Sequence, residues 1–133
     1  RHCANALKVA QWLSADPRVS WVSFPGLEED KYHALAEKYM PNGTCGVISF
    51  GVPGGREKVS AFLDHLKMVS IATHVADARS CTLYPAGTTH RQLTEEQLEE
   101  AGVGIDLVRL SCGIENADDI IADLDQALAA VQE

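Results

Sequence analysis

The sequence has few basic residues, and it has no apolar run long enough to cross a membrane. Eleven Lys and Arg residues face nineteen Asp and Glu residues, so the formal net charge is −8. Nucleic acids and anionic membrane surfaces require a basic footprint, and this composition argues against both as partners. A membrane span needs about 20 apolar residues, and Gly, Pro or charged residues interrupt every candidate run. The 133 residues, 46% of them apolar, therefore predict one globular domain with its own core.

The N-terminal segment lacks the features of a signal peptide, which are a charged head, an apolar stretch and a small-residue cleavage site. The chain begins with Arg1, not Met, and apolar residues already recur at helical spacing from Cys3 to Leu13. We therefore expect a piece of a longer chain, located in the cytoplasm.

No C-x-x-C pair occurs, which argues against a zinc knuckle. The four cysteines, Cys3, Cys45, Cys81 and Cys112, each lie in an apolar stretch. A chain of this length needs no disulfides to hold its core, so free structural thiols in a reducing compartment are expected. The sequence leaves open a reactive thiol at Cys81 or Cys112, but no feature favours it.

Phosphate-binding and metal-binding motifs are also missing. The segment GVPGGR at 51–56 has neither the P-loop spacing nor the dinucleotide-binding spacing, and it predicts a turn between a strand and a helix. His74 and His90 lie in irregular stretches, and neither has a second metal-type ligand at i+2 or i+4. The five lysines fall on helices or a helix end, where they are expected to be solvated.

The pattern of apolar residues and turn signals predicts the order α-β-α-β-α-β-β-α-β-α. Helices are expected over 2–15, 28–40, after Gly54-Gly55, from Thr94 to Gly102 and after Asn116; strands are expected over 19–24, 44–52, 68–73, 81–84 and 106–112. A capping box begins at Thr94, and Leu35, Ala36 and Tyr39 form the expected apolar face of the second helix. The predicted fold class is α+β, with a mainly antiparallel sheet of four to five strands covered by helices on one face.

Arg109 stands out because residues 92–133 contain eleven acids and only this one base. It lies in the middle of a predicted strand, where a buried guanidinium requires a partner. Two interpretations remain open from spacing alone. One is an anchor for the carboxylate of a ligand, which the planar guanidinium fits well; the other is an ion pair with an acid such as Glu115.

The segment Thr88-Thr89-His90-Arg91 is a dense cluster of hydrogen-bond donors. Such a cluster serves either local capping of a loop or contact with an anion, and the residue types favour local capping.

Three long stretches together resemble one family, and they occur in the same order as in its members. They are NALKVAQWLSADPRVSWVSFPGL, GVISFGVPGGREKVSAFLDHLKMVSIATHVADARS and YPAGTTHRQLTEEQLEEAGVGIDLVRLSCGIENADDIIADLDQAL. The chain resembles the C-terminal part of the Cys/Met-metabolism family of pyridoxal-phosphate enzymes, in its O-acetylhomoserine sulfhydrylase branch. The most specific segments are TTHRQL and LVRLSCGIE, and the resemblance spans nearly all 133 residues.

The resemblance implies a fold-type I enzyme whose large domain holds pyridoxal phosphate and the Schiff-base lysine. Residues 1–133 would be the small C-terminal domain alone, without catalytic residues and inactive by itself. The whole enzyme would be a transferase that replaces the acetyl group of O-acetylhomoserine with sulfide or methanethiol, giving homocysteine or methionine. Its expected partners are the small amino-acid substrate, the thiol, its own large domain and three further copies in a homotetramer.

The resemblance also implies roles for individual residues. Arg109 matches the arginine that binds the α-carboxylate of the substrate, and His74 with its neighbour Val75 falls where relatives contact the same group. His74 departs from the usual Ser or Asn. Thr88 and Thr89 match a loop that lines the substrate entrance.

Ala76 replaces a common Gly in the same stretch, which predicts a less free loop. Two other functions remain open. One is a cystathionine or methionine γ-lyase or a cystathionine γ-synthase, and the other is a free-standing carboxylate-binding or regulatory module.

Overall fold

The computed structural model describes residues 1–132. Its elements follow the predicted order, with one added 3-10 turn at Pro85–Gly87. The helices are α1 (His2–Ala15), α2 (His33–Tyr39), α3 (Gly55–Asp64), α4 (Glu95–Glu100) and α5 (Ala117–Ala130). The strands are β1 (Val22–Ser23), β2 (Val47–Gly51), β3 (Ser70–Ile71), β4 (Cys81–Leu83) and β5 (Leu107–Ser111).

The five strands form one sheet in the order β1-β2-β5-β4-β3. All neighbouring pairs are antiparallel except β3 and β4, which are parallel. The predicted mainly antiparallel sheet is therefore confirmed. Because β5 is the middle strand, a residue at its centre has a strand on either side.

The helices α1, α3 and α5 cover one face of this sheet. That face carries Ile48 and Phe50 of β2 and Val108 and Leu110 of β5, all of them fully buried. The Phe50 ring meets the Phe62 ring of α3 edge to face, with 6.1 Å between centroids. The alternation predicted for β2 and β5 is confirmed, since the residues between these apolar ones point to the opposite face.

Two helix starts follow from side-chain caps that the sequence predicts. The Thr94 hydroxyl accepts from the Gln97 N–H at 3.3 Å, and the Gln97 side chain accepts from the Thr94 N–H at 3.0 Å, which completes the capping box. The Asn116 side chain accepts from the Asp118 N–H at 3.1 Å and begins α5.

The predicted start of α2 is wrong. The helix begins at His33, not at residue 28, because the Asp30 carboxylate caps a series of turns instead. It accepts from the Phe24 N–H and from the Tyr32 N–H, each at 2.9 Å. The predicted apolar face is also wrong in part: Ala36 is buried, but Leu35 is 52% exposed and Tyr39 is 68% exposed.

The predicted strands at 19–24 and 68–73 are each reduced to two paired residues. They lie at the two edges of the sheet, where only one neighbouring strand is available to hold a longer ladder.

Candidate functional site

Arg109 lies at the centre of β5, with Ser49 of β2 and Leu83 of β4 as its partners in register. Its side chain points to the face of the sheet opposite the helices, since Val108 and Leu110 occupy the helical face. The Nη2 atom donates to the Thr73 carbonyl oxygen at 3.0 Å. The Nε atom is buried and has no hydrogen-bond partner in residues 1–132.

The alternative of an ion pair between Arg109 and Glu115 is wrong. The Glu115 carboxylate accepts from the Ser80 N–H at 2.6 Å and from the Ser80 hydroxyl at 3.0 Å. Among the described residues, no carboxylate lies within ion-pair distance of Arg109. A buried donor without an acceptor costs about 1–3 kcal/mol, so the guanidinium is arranged to gain from an incoming anion.

The segment 72–80, which we call the β3–β4 loop, covers the same face of the sheet as Arg109. Besides the Thr73 contact, the Ala76 N–H donates to the Ser111 hydroxyl at 3.1 Å. His74 and Val75 lie between these two contacts, and both are exposed. Within the described chain, neither His74 N–H nor Val75 N–H donates to a backbone acceptor. The loop that contacts the guanidinium through Thr73 therefore contains two backbone N–H groups that have no acceptor in the described residues.

Ala76 has a backbone φ of +58°, which places it in the left-handed region. It is the one non-glycine residue with a positive φ in residues 1–132. An alanine in this region is strained by contact between its β-carbon and the backbone, so the loop holds a conformation that glycine would adopt more easily.

Thr88 and Thr89 make hydrogen bonds inside their own loop. The Thr88 hydroxyl donates to the Tyr84 carbonyl oxygen at 2.6 Å, and the Thr89 hydroxyl lies 2.8 Å from His90 Nδ1. Both residues are exposed. The loop is held from the other side by Arg56, whose Nη1 donates to the Ala86 carbonyl at 2.7 Å. The structure therefore joins Arg109 and the β3–β4 loop by a hydrogen bond. Thr88 and Thr89, by contrast, cap their own loop.

Two contacts of this site were not predicted from the sequence. The Thr73 carbonyl is a backbone group, which no side-chain motif can indicate. Ser111 was placed on the same face as Arg109 by strand alternation, but its hydrogen bond to Ala76 depends on the path of the loop.

The buried thiols do not have the properties of nucleophiles. Burial raises the pKa of the Cys112 thiol to about 12, and burial also raises the pKa of the Cys81 thiol. Both are therefore protonated near neutral pH. All four cysteines are free.

The described residues do not fit a site for pyridoxal phosphate. None of the five lysines is buried. Three of them are engaged at the surface: Lys8 pairs with Asp118 at 2.6 Å, and Lys31 and Lys38 each lie over a tyrosine ring. In the same part of the chain, no group of three His, Cys, Asp or Glu side chains is placed to hold a metal ion.

A cavity of about 500 Å³ lies between α1 and α2, and Arg109 is not among its lining residues, which include Cys3, Leu7, His33 and Met40. No helix within residues 1–132 has both the length and the apolar character that crossing a membrane requires.

Comparison with known proteins gives long matches. O-acetyl-L-homoserine sulfhydrylase of Leptospira meyeri is 46% identical over 129 residues, which are 96% of this chain and 29% of that protein. Homocysteine synthase of Schizosaccharomyces pombe is 48% identical over 128 residues, 96% of this chain and 30% of that protein. The chain thus spans about 30% of the length of these relatives.

A solved structure has the same fold. It is an O-acetylhomoserine (thiol)-lyase of Campylobacter jejuni with N'-pyridoxyl-lysine-5'-monophosphate, and it superposes with a TM-score of 0.88 at 40% identity. The match covers 96% of this chain and 30% of that one. The α+β fold predicted from the sequence is confirmed.

Residues 1–129 match the family model described as Cys/Met metabolism PLP-dependent enzyme. The chain therefore belongs to the Cys/Met metabolism family of pyridoxal-phosphate-dependent enzymes.

Proposed function

We propose that residues 1–133 are the small C-terminal domain of an enzyme that replaces the acetyl group of O-acetylhomoserine with sulfide or methanethiol. The products would be homocysteine or methionine. The observation that carries the proposal is Arg109, whose buried Nε has no acceptor within residues 1–132, in a chain similar to O-acetylhomoserine sulfhydrylases. The substrate of such an enzyme carries the α-carboxylate that this guanidinium requires.

The role of Arg109 in this proposal is to hold and orient the substrate. The Thr73 carbonyl occupies one Nη2 hydrogen, and Nη1 makes no hydrogen bond within residues 1–132, so Nη1 and the second Nη2 hydrogen would be available to a carboxylate. A planar guanidinium can bind both carboxylate oxygens at once, which fixes the direction of the Cα substituents as well as the position of the molecule. The exposed backbone donors of His74 and Val75 would add a second point of contact from the β3–β4 loop. Thr88 and Thr89 would line the approach to the site.

The cofactor of the family, pyridoxal phosphate, would be bound by residues outside this chain, because none of the five lysines is buried. We assign no catalytic residue to residues 1–133. In the same proposal, the whole enzyme is a cytoplasmic homotetramer, and this chain contacts its own large domain.

The test of the reaction is product analysis on the full-length protein with O-acetylhomoserine and either sulfide or methanethiol. Homocysteine or methionine formed with release of acetate supports the proposal. Formation of a 2-oxo acid and ammonia at the same rate without any thiol would indicate a γ-lyase and contradict it.

The test of the domain assignment uses the 133-residue chain alone. We expect no pyridoxal absorbance band to survive dialysis after incubation with the cofactor, and no heat of binding with O-acetylhomoserine in calorimetry. Clear binding of either compound would contradict a split site and would favour a free-standing carboxylate-binding module.

A further inference from the structure

We infer that Glu115 is a positioning residue that acts through Ser80 to hold the β3–β4 loop beside Arg109, so that the loop donors and the guanidinium meet the same ligand carboxylate. The inference rests on the proposed function of Arg109. It assigns to Glu115 a role in substrate affinity, although this side chain does not touch the proposed ligand.

The Glu115 carboxylate contacts both the backbone N–H and the side-chain hydroxyl of Ser80. One carboxylate oxygen accepts from the Ser80 N–H at 2.6 Å, and the other accepts from the Ser80 hydroxyl at 3.0 Å. The Ser80 hydroxyl in turn accepts from the Gly113 N–H at 2.9 Å. Ser80 is fully buried. Because hydrogen bonds to a carboxylate are stronger than neutral ones, this contact fixes the end of the loop firmly.

The rest of the loop is held by the same stretch of chain, residues 109–115. Arg109 donates to Thr73, and Ser111 accepts from Ala76. The Ile114 N–H donates to the Ala78 carbonyl at 2.9 Å. Together with the contacts of Ser80 to Glu115 and to Gly113, five residue pairs therefore tie the β3–β4 loop from its start to its end to one segment, which also carries the guanidinium.

The turn after β5 is close to the loop at Gly113. A β-carbon at this position would collide with the Ala78 carbonyl oxygen and with the Glu115 carboxylate. The absence of a side chain is therefore required for the loop to approach the turn this closely.

The opposite side of this turn is anchored to the start of α1. The Asn5 side-chain amide donates to the Gly113 carbonyl at 2.9 Å and to the Glu115 carbonyl at 2.8 Å. His2 Nδ1 lies 2.7 Å from the Cys112 carbonyl oxygen. Glu115 is thus fixed to a helix on one side and holds the loop on the other, which suits a group that determines where the loop lies.

Binding of the substrate carboxylate depends on two parts of the site, Arg109 and the β3–β4 loop. Arg109 is fixed by its strand, but the N–H groups of His74 and Val75 are placed only by the loop. If Ser80 is released, the loop end moves, and the two parts no longer match one carboxylate. Affinity for the amino-acid substrate then falls, whereas the chemistry of bound substrate and the affinity for the thiol are unchanged.

The experiment compares Glu115→Gln and Ser80→Ala with the unmodified full-length enzyme. We expect KM for O-acetylhomoserine to rise about tenfold in each, as a misplaced binding group predicts, with kcat and the KM for sulfide within about twofold. The control is Asp16→Asn, because the Asp16 carboxylate is likewise hydrogen-bonded but contacts Arg18 far from the loop. It should leave all three constants within about twofold.

A second measurement needs no turnover. Amide hydrogen exchange of residues 73–80 in the substrate-free enzyme should become faster in both variants than in the unmodified enzyme and the Asp16→Asn control. Unchanged KM together with unchanged exchange in both variants would overturn the inference. If Arg109→Ala also leaves KM unchanged, the proposed function itself fails; if only Arg109→Ala raises KM, the role of Glu115 alone is refuted.

Discussion

Arg109 and Thr73 are 36 residues apart in sequence, yet Nη2 of the arginine donates to the carbonyl oxygen of the threonine at 3.0 Å. This hydrogen bond joins the central strand to the loop that carries the free backbone donors. It uses only one of the five N–H groups of a guanidinium, and the N–H groups of Nη1 and the second one of Nη2 remain for a ligand anion.

The first prediction concerns Arg109 in the full-length enzyme. Replacing it with Ala removes a charge-assisted contact of about 2–3 kcal/mol, so KM for O-acetylhomoserine should rise about 30- to 150-fold. Arg109→Lys should recover only part of the affinity, because an ammonium cannot bind two carboxylate oxygens in a plane. Steady-state kinetics measure both.

The control for this prediction is Arg18→Ala, which removes an arginine bound to Asp16 and Asp125 on another part of the surface. It should leave KM within about twofold. Equal KM values for the Arg109 and Arg18 variants would contradict the assignment.

The second prediction compares two alanines of the β3–β4 loop. Ala76→Gly should raise the free energy of unfolding by about 0.5–1 kcal/mol, because glycine adopts the left-handed conformation without strain. Ala78→Gly should lower it by a similar amount, since Ala78 has an ordinary φ and the change adds only freedom to the unfolded chain. Urea unfolding at neutral pH measures the free energy of unfolding of both variants. If both variants change it in the same direction, the backbone at Ala76 is not strained.

The third prediction concerns Asp123, a buried carboxylate of α5. Burial opposes its ionisation, but the N–H groups of Val69, Lys67 and Met68 and the Gln126 amide outweigh burial and hold its pKa below the usual range. Asp123→Asn should lower the free energy of unfolding by about 1.5–3 kcal/mol at pH 7.

The pH dependence of this difference has a definite sign. A carboxyl group with a lowered pKa stabilises the fold fully above its unfolded pKa of about 3.9, and this contribution is lost as the pH falls through the folded pKa. The difference in the free energy of unfolding between Asp123→Asn and the unmodified protein should therefore become smaller below about pH 4. Asp64→Asn, at an exposed carboxylate, serves as the control and should change the free energy by less than about 0.5 kcal/mol. A difference in the free energy of unfolding that stays constant down to pH 2 would contradict the stabilising role of the ionised Asp123.

The fourth prediction concerns the cysteines. Cys81 and Cys112 are buried with raised pKa values, whereas Cys3 and Cys45 are partly exposed. A thiol reagent at about pH 8 should modify Cys3 and Cys45 first in the folded protein and all four in guanidinium. Mass spectrometry of the labelled peptides gives the sites. Fast labelling of Cys112 in the folded protein would contradict its burial.

The sequence was sufficient for the features that depend on local pattern. The bounds of α1, the capping box at Thr94 and the faces of β2 and β5 follow from apolar spacing and capping chemistry, and each is confirmed. Arg109 was identified as unusual from its place in a strand and the scarcity of other bases around it.

The predictions that failed depend on hydrogen bonds to backbone groups that apolar spacing does not reveal. The acids before α2 indicated a helix start, but Asp30 is used to cap a turn against Phe24. Glu115 was the nearest acid to Arg109 in sequence, but it binds Ser80 on the other side of the loop. In both cases the carboxylate accepts a hydrogen bond from a backbone N–H. The spacing of residue types cannot identify such a partner.

The position of β5 has a consequence for how the sheet assembles during synthesis. It is the last of the five described strands in sequence, yet its place is between β2 and β4. Until residues 107–111 emerge, the strand pairs β1-β2 and β3-β4 have no hydrogen bonds between them, and each presents an open edge. A nascent chain that stalls before this point holds two unjoined half-sheets, which are exposed to wrong pairing. The strand that joins them also carries Arg109, so the same five residues complete the sheet and supply the proposed carboxylate anchor.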